Sequence, residues 1–322
     1  MKYIVLSLFF VLNLFGSWDT NPPSDTSSAF FALGYGETQK DAQDDALSSI
    51  SSRIFVNLSS EFNNEVTVTK QGNDEMILED STNTVNSQTS KIEFSDVVVM
   101  HTKKTNGEFV VLVRVDKDTL LNNYLHKLQN ITKKINQKYK KLKHTSAFNK
   151  IVLDADITAL MKKVKQLSPV IVALDTKNRW KKIENKFQKI QNYVEEQRDT
   201  ISFALQSDKN SKTLAYLVEE KLQELGYQIV QKHPSLYIKF ITKAKKRKIH
   251  STNERFAKLT FALKKATIEL FDAKHKRKSR VIYKTKEASP NGFKDALAKT
   301  TKYKKKISQL GIIYFLVGKK EV

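Results

Sequence analysis

Phe30 to Ile54, FFALGYGETQKDAQDDALSSISSRI, constrains this chain more than any other stretch. A small apolar run, Phe30 to Leu33, leads to Gly34 and Gly36 around Tyr35. A polar segment follows, in which Ala42, Ala46, Ile50 and Ile54 recur every four residues. The run predicts a strand, the glycines a sharp turn using positive φ, and the four-residue spacing a helix with one narrow apolar face. Thr38 is placed to cap that helix. Because the face begins with two alanines, the helix should lie close against a sheet. A phosphate loop does not fit, since Gln39 occupies the third glycine position of the dinucleotide fingerprint and Glu37, Asp41, Asp44 and Asp45 would surround the phosphate. These carboxylates suit the positive end of a helix dipole instead.

Gly34-Tyr35-Gly36-Glu37-Thr38, followed by Lys40-Asp41-Ala42, Asp45-Ala46-Leu47 and Ile50, resembles the opening of the Lpp-twenty lipoprotein family, small envelope proteins related to FlgT- and FlgP-type flagellar proteins. The likeness continues through Val97-Val98-Val99 and Asn106 to Asp116, about the first third of the chain. It marks Gly34, Tyr35, Gly36, Asp41, Ala42, Asp45 and Ala46 as the family motif. It implies an exported, non-enzymatic envelope protein and no particular reaction.

Residues 1–17 read as a signal peptide, with Lys2, an apolar run from Tyr3 to Phe15, then small Gly16 and Ser17. The run is short for a bilayer span, and a retained anchor is the competing reading. Leu14-Phe15-Gly16-Ser17 resembles a lipobox with Ser17 in place of the lipidated cysteine. No cysteine occurs among the 322 residues, which excludes disulfides, cysteine-ligated metals and a thioether lipid within them. The expected location is the periplasm, either free or associated with the outer membrane.

Charge divides the chain. Residues 17–120 carry 8 basic and 17 acidic side chains, whereas residues 121–322 carry 47 basic and 17 acidic ones. An acidic head precedes a very basic body.

Residues 18–28, with two prolines, read as a flexible lead, and residues 29–116 as an Lpp-twenty-like α+β domain. Within that domain Phe55 to Leu58 and Val66 to Val68 alternate like strands, and residues 70 to 90 read as a loop or ragged hairpin. Asn106-Gly107 between Val97–Met100 and Phe109–Val113 signals a two-residue hairpin. Over residues 117–199 the period becomes helical, with Leu121, Leu125, Leu128, Ile131, Ile135, Tyr139 and Leu142 forming one seam. Thr145 or Ser146 caps a second helix, and Ser168-Pro169 reads as the start of a third. This coiled-coil region should fold as a hairpin or small bundle.

Residues 200–322 read as a basic α+β domain, a divergent copy of the first. Its expected elements are strands at 201–205, 227–230, 236–241, 256–271 and 281–283, and helices at 211–225 and from Gly292. Gly311 to Gly318, the most apolar stretch after the start, reads as a buried final strand. The fold class is therefore α+β: two small helix-on-antiparallel-sheet domains separated by a long helical hairpin or bundle.

No catalytic constellation is present. The six histidines are scattered, no phosphate loop or nucleophile elbow occurs, and Asp154 and Asp156, two apart on a helix, point to different sides. Neither cofactor nor metal is expected. The basic clusters are the stronger signal, above all Lys243, Lys245, Lys246, Arg247 and Lys248, and Lys276, Arg277 and Lys278. In an exported protein they should meet lipid, lipopolysaccharide, peptidoglycan or an acidic envelope protein, while nucleic acid is not expected. The leading expectation is a non-enzymatic structural or assembly protein whose acidic first domain docks to an envelope protein and whose helical arm and basic second domain engage an anionic envelope surface, linked through the resemblance to flagellar or other envelope machinery. The rivals are a nucleic-acid-binding protein with an N-terminal anchor, and an envelope hydrolase whose site assembles only in three dimensions.

Overall fold

The computed structural model describes residues 18–68, 92–177, 179–248 and 258–319, and only the backbone of 57–68. The signal-like segment and the loop expected at 70–90 lie outside the described residues. The chain divides into two compact units, one made of residues 1–129 and 165–180, the other of 130–164 and 181–322.

In the first unit, β1 (Ala29–Gly36) pairs antiparallel with β3 (Glu108–Asp116), which pairs antiparallel with β2 (Val98–Thr105). Asn106 and Gly107, both at positive φ, join β2 to β3 as the hairpin signal requires. Between β1 and β2 runs α1 (Gln39–Val68), whose Ala42, Ala46, Ile50 and Ile54 are fully buried. Thr38 does cap it. Its hydroxyl oxygen accepts the Asp41 N–H at 3.1 Å, and the Asp41 carboxylate accepts the Thr38 N–H at 3.2 Å. This is a capping box with aspartate in the acidic position.

The two glycines do something other than turn. Gly34 and Gly36 are the last residues of a straight strand, and neither has a positive φ. A Cβ on Gly34 would overlap the Ala42 carbonyl and lie 2.9 Å from the Ala46 Cβ; one on Gly36 would lie 2.7 Å from the Asp41 Cβ. Glycine is required because helix backbone touches strand backbone there. The strands expected at Phe55–Leu58 and Val66–Val68 are absent, because α1 continues through both. No glycine or proline interrupts residues 37–71, and four alternating residues cannot be told from a helix segment by period alone.

Three helices follow: α2 (Lys117–Leu142), α3 (Ala147–Leu174) and α4 (Arg179–Asp199). Leu121, Leu128, Ile135 and Leu142 of the α2 seam are buried, and the Ser146 hydroxyl accepts the Asn149 N–H at the start of α3. Ser168-Pro169 does not begin a helix, for α3 runs through it. The Lys165 carbonyl, deprived of a partner by the missing proline N–H, accepts the Ser168 hydroxyl at 3.1 Å. The break falls instead at Asp175, whose carboxylate accepts the Trp180 N–H at 3.0 Å and the Arg179 Nε at 2.9 Å.

In the second unit a five-stranded sheet has the order β5 (Gln228–Ile229), β4 (Ser202–Ser207), β6 (Leu236–Lys248), β7 (Thr260–Asp272), β8 (Arg277–Ser289). β4 is parallel to β5 and β6, and the long β6–β7–β8 part is antiparallel. This order differs from that of the first sheet, so the second sheet does not copy the first in topology, although Lys294-Asp295-Ala296 repeats Lys40-Asp41-Ala42.

One face of this sheet is the core. Leu236, Ile238 and Phe240 of β6 and Ala266, Ile268 and Leu270 of β7 pack with Leu214, Val218 and Leu222 of α5 (Lys212–Glu224). The closing helices α6 (Phe293–Ala298), α7 (Thr301–Leu310) and α8 (Ile312–Val317) bring in Tyr303, Ile307 and Phe315. The run Gly311 to Gly318 is thus a buried helical turn and not a strand. Gly311 at φ 78° separates it from α7, and Phe315 stacks on Tyr283 of β8 at 4.4 Å. An unbroken apolar run carries no period to distinguish the two outcomes.

Candidate anionic-surface interface

Side chains alternate across a strand, so the register of β6, β7 and β8 fixes what the other face of the sheet displays. Lys243 is opposite Lys265, and Lys265 is opposite Lys284. Three lysines therefore stand in one row across three adjacent strands, and all three are exposed. The next row holds Lys245, Leu263 and Lys286, and the one after it Arg247, Phe261 and Ala288. On the other side of the lysine row lie Ile241, Thr267 and Ile282, then Lys239, Glu269 and Arg280. The Lys286 ammonium sits over the Phe261 ring, 4.2 Å from its centroid.

Directly opposed residues bring their Cβ atoms to within about 5 Å, and like charges there are destabilising. Among the described residues no carboxylate forms an ion pair with the three lysines of the row, nor with Lys245, Arg247 or Lys286. Glu269, the acid in this grid, is occupied by Arg277 at 3.0 Å and Arg280 at 3.4 Å. The face is a concentrated, uncompensated positive field.

The structure regroups the basic residues marked in the sequence. Lys243, Lys245 and Arg247 belong to this face, whereas Lys246 and Lys248, one residue out of phase, point to the opposite one. Lys276, Arg277 and Lys278 lie at the far end of the sheet, since Arg277 pairs with Phe271 while Lys248 pairs with Thr260. That second cluster is partly neutralised: Lys278 meets Asp272 at 2.9 Å and Arg277 meets Glu269. The Lys278 hydrogen bond, with help from the Lys274 and Lys276 backbone N–H groups, holds the Asp272 carboxyl below its ordinary range. Lys265, Lys284 and Lys286 lie outside the long basic runs of the chain, Lys265 beside Lys264 and the other two around Thr285, and only strand register brings them to this face.

The family-motif residues form a different assembly, devoted to structure. Gly34, Gly36, Ala42 and Ala46 make the strand–helix contact, and the Asp41 carboxylate completes the capping box begun by Thr38. Asp45 accepts the Tyr35 N–H at 3.0 Å, and Asp25 accepts that of Phe31 at 2.9 Å, while Arg53 donates to the Phe31 carbonyl at 2.6 Å. These bonds occupy the outer edge of β1, which an unprotected edge strand would offer to another chain. The Tyr35 side chain is exposed.

Asp154 and Asp156 do point apart, and both are buried, at 5% and 3% exposure. Asp154 accepts Arg198 Nε and Nη2, each at 2.8 Å, the Thr158 hydroxyl at 3.2 Å and the Tyr227 hydroxyl. Asp156 accepts Lys138 at 2.6 Å and the Tyr314 hydroxyl at 2.6 Å. Burial drives the Tyr227 phenol well above its ordinary range, and the Asp154 charge adds to this. For Arg198 burial acts downward, but the Asp154 bonds outweigh it and raise the guanidinium. A cavity of about 650 Å³ beside Asp154 is walled by Leu217, Ile307 and Ile313. Both acids are saturated by partners that tie α3 to α2, α4, Tyr227 just before β5, and α8, an arrangement that fixes helices. Among the described residues no group of three or more His, Asp or Glu is placed to hold a metal ion.

Sheet, helix and charge together define an α+β protein whose first unit is built on a compact strand–helix motif and whose second displays a basic sheet face. Residues 17–116 match the model of the LPP20 lipoprotein family, which covers the β1, α1, β2 and β3 elements. This match supports an envelope-associated protein. No curated protein matches the chain. Among solved structures, the secreted protein HP1454 from the human pathogen Helicobacter pylori is similar over 76% of this chain and 82% of its own, at 11% identity and a TM-score of 0.41. A minor lipoprotein from Acinetobacter baumannii is similar over 36% of this chain and 82% of its own, at 7% identity and a TM-score of 0.24. Among the described residues no helix is long and apolar enough to cross a membrane.

Proposed function

We propose that this is an exported, non-enzymatic protein of the cell envelope, with a structural or assembly role at the periplasm or outer membrane, whose second unit binds an anionic envelope surface. The observation that carries the reading is the row Lys243, Lys265 and Lys284 with Lys245, Arg247 and Lys286 beside it. Cross-strand repulsion is retained in the folded protein and is relieved when anionic groups settle over the row. The LPP20 lipoprotein match supports the envelope setting, and the lipobox-like segment with Ser17 fits a protein held there by contacts instead of lipid. A link to flagellar machinery rests on the family resemblance alone.

The test is retention of the full chain on a polyphosphate resin. Replacing Lys243, Lys265 and Lys284 by glutamine is expected to move elution to much lower salt while the circular dichroism spectrum stays the same. Unchanged elution overturns the reading.

A further inference from the structure

The basic face is not uniformly polar. Immediately beside the lysine row, on the same face, Ile241, Thr267 and Ile282 form a row without charge, and Ile282 is 42% exposed. On the other side of the lysines lie Leu263 and, beneath the Lys286 ammonium, Phe261. Lysine heads on flexible stems thus alternate with apolar side chains across one open sheet face. Lysine stems bury along apolar surface while their heads reach for charge, which is the side-chain behaviour found at membrane interfaces.

From this juxtaposition we infer that the face docks on the headgroup layer of a bilayer containing anionic phospholipid, with the lysine row on phosphates and Ile282 entering the boundary between headgroups and acyl chains. The inference rests on the anionic-surface reading and specifies its partner. A second copy of the chain does not fit the face, because a two-fold contact would set lysine rows against each other. A soluble polyanion satisfies the lysines but leaves the Ile241–Thr267–Ile282 row in water. A bilayer satisfies both, with each lysine near an anionic surface adding roughly fivefold in affinity. Ile282 adds to this through the apolar area it removes from water.

The absence of cysteine makes the test direct. In the full chain, Ile282→Cys places a single thiol on the face, and Glu224→Cys places one at an exposed position of α5. Each is labelled with an environment-sensitive fluorophore and mixed with phosphatidylcholine vesicles, with vesicles also containing phosphatidylglycerol, and with polyphosphate. The expected result is a blue shift of the label at position 282 with phosphatidylglycerol vesicles alone. The label at 224 stays unshifted, and glutamine at 243, 265 and 284 abolishes the shift. The apolar segment at residues 3–15 is common to every variant and cannot generate a difference between the two labels.

A protein that binds polyphosphate through the lysine row but leaves the label at 282 unshifted on vesicles overturns the bilayer inference and leaves the anionic-surface reading standing. Binding to polyphosphate in preference to vesicles has the same consequence. Binding to both polyanion and vesicles that is indifferent to the three lysines overturns the anionic-surface reading and this inference with it.

Discussion

Two sheets in one chain treat their surfaces in opposite ways. In the first unit, α1 closes on β1 so tightly that two strand positions admit no Cβ, and side chains from Asp25, Asp45 and Arg53 occupy the outer strand edge. In the second, helices cover one face of β6–β7–β8, and the other is left open with three lysines abreast. The first arrangement devotes its distinctive residues to closure. The second sets like charges directly opposite one another, an arrangement that costs stability unless anionic groups lie over it. The recognisable motif and the candidate interface therefore lie in different units.

The strongest way to break this contrast is at Gly34. Gly34→Val should cost more than about 3 kcal/mol, because strand and helix backbones must separate to admit the side chain. Thermal unfolding should show the first unit lost or melting far earlier, and a variant that melts normally would refute the close contact. Next comes Asp154→Ala, which leaves Arg198 buried at 15% side-chain exposure without its carboxylate and should cost about 3 kcal/mol. Denaturant titration reads this directly. Thr38→Ala removes the side-chain cap of α1 and should cost about 1 kcal/mol.

Lys265→Glu works in the other direction. A carboxylate in the middle of the row faces Lys243 on one side and Lys284 on the other, so stability should rise by about 0.5 to 1 kcal/mol while polyanion binding falls. A gain in stability together with weaker polyanion binding is the signature expected of a functional patch.

The smallest effect concerns alkaline pH. Burial pushes the Tyr283 phenol from 10.0 up to about 12, where its hydroxyl donates to the Phe315 carbonyl at 2.7 Å. Its folded value lies above its unfolded one, so its contribution is complete below about pH 10 and is lost as pH rises toward 12. Tyrosinate absorbance should show a late component in that window which Tyr283→Phe removes.

Much of the fold was legible where local pattern and tertiary need agreed. Thr38, the four-residue spacing of Ala42 to Ile54 and Asn106-Gly107 each specify their geometry locally, and each is realised. Failures occurred where two structures share one pattern. Glycine serves a turn or a close approach, and only the helix packed above Gly34 decides between them. Ser168-Pro169 begins a helix or is bridged within one, and the Ser168 hydroxyl on Lys165 decides. The apolar run after Gly311 carries no period that separates strand from helix. For the interface, Lys243, Lys245 and Arg247 were visible as a run, but strand phase removes Lys246 and Lys248 from their side, and hairpin register recruits Lys265 and Lys284. Charge density is a property of sequence; charge geometry had to wait for the sheet.

The most direct test of the central claim compares two triple variants that remove the same number of charges. One replaces Lys243, Lys265 and Lys284 by glutamine, and the other replaces Lys246, Lys248 and Lys276, which lie off the row. The measurement is affinity for phosphatidylglycerol-containing vesicles as a function of salt. A built face predicts a loss of about a hundredfold for the row variant and a far smaller one for the other, with a shallower salt dependence only in the first. Equal losses in both would show that net charge alone drives binding and would contradict a built face.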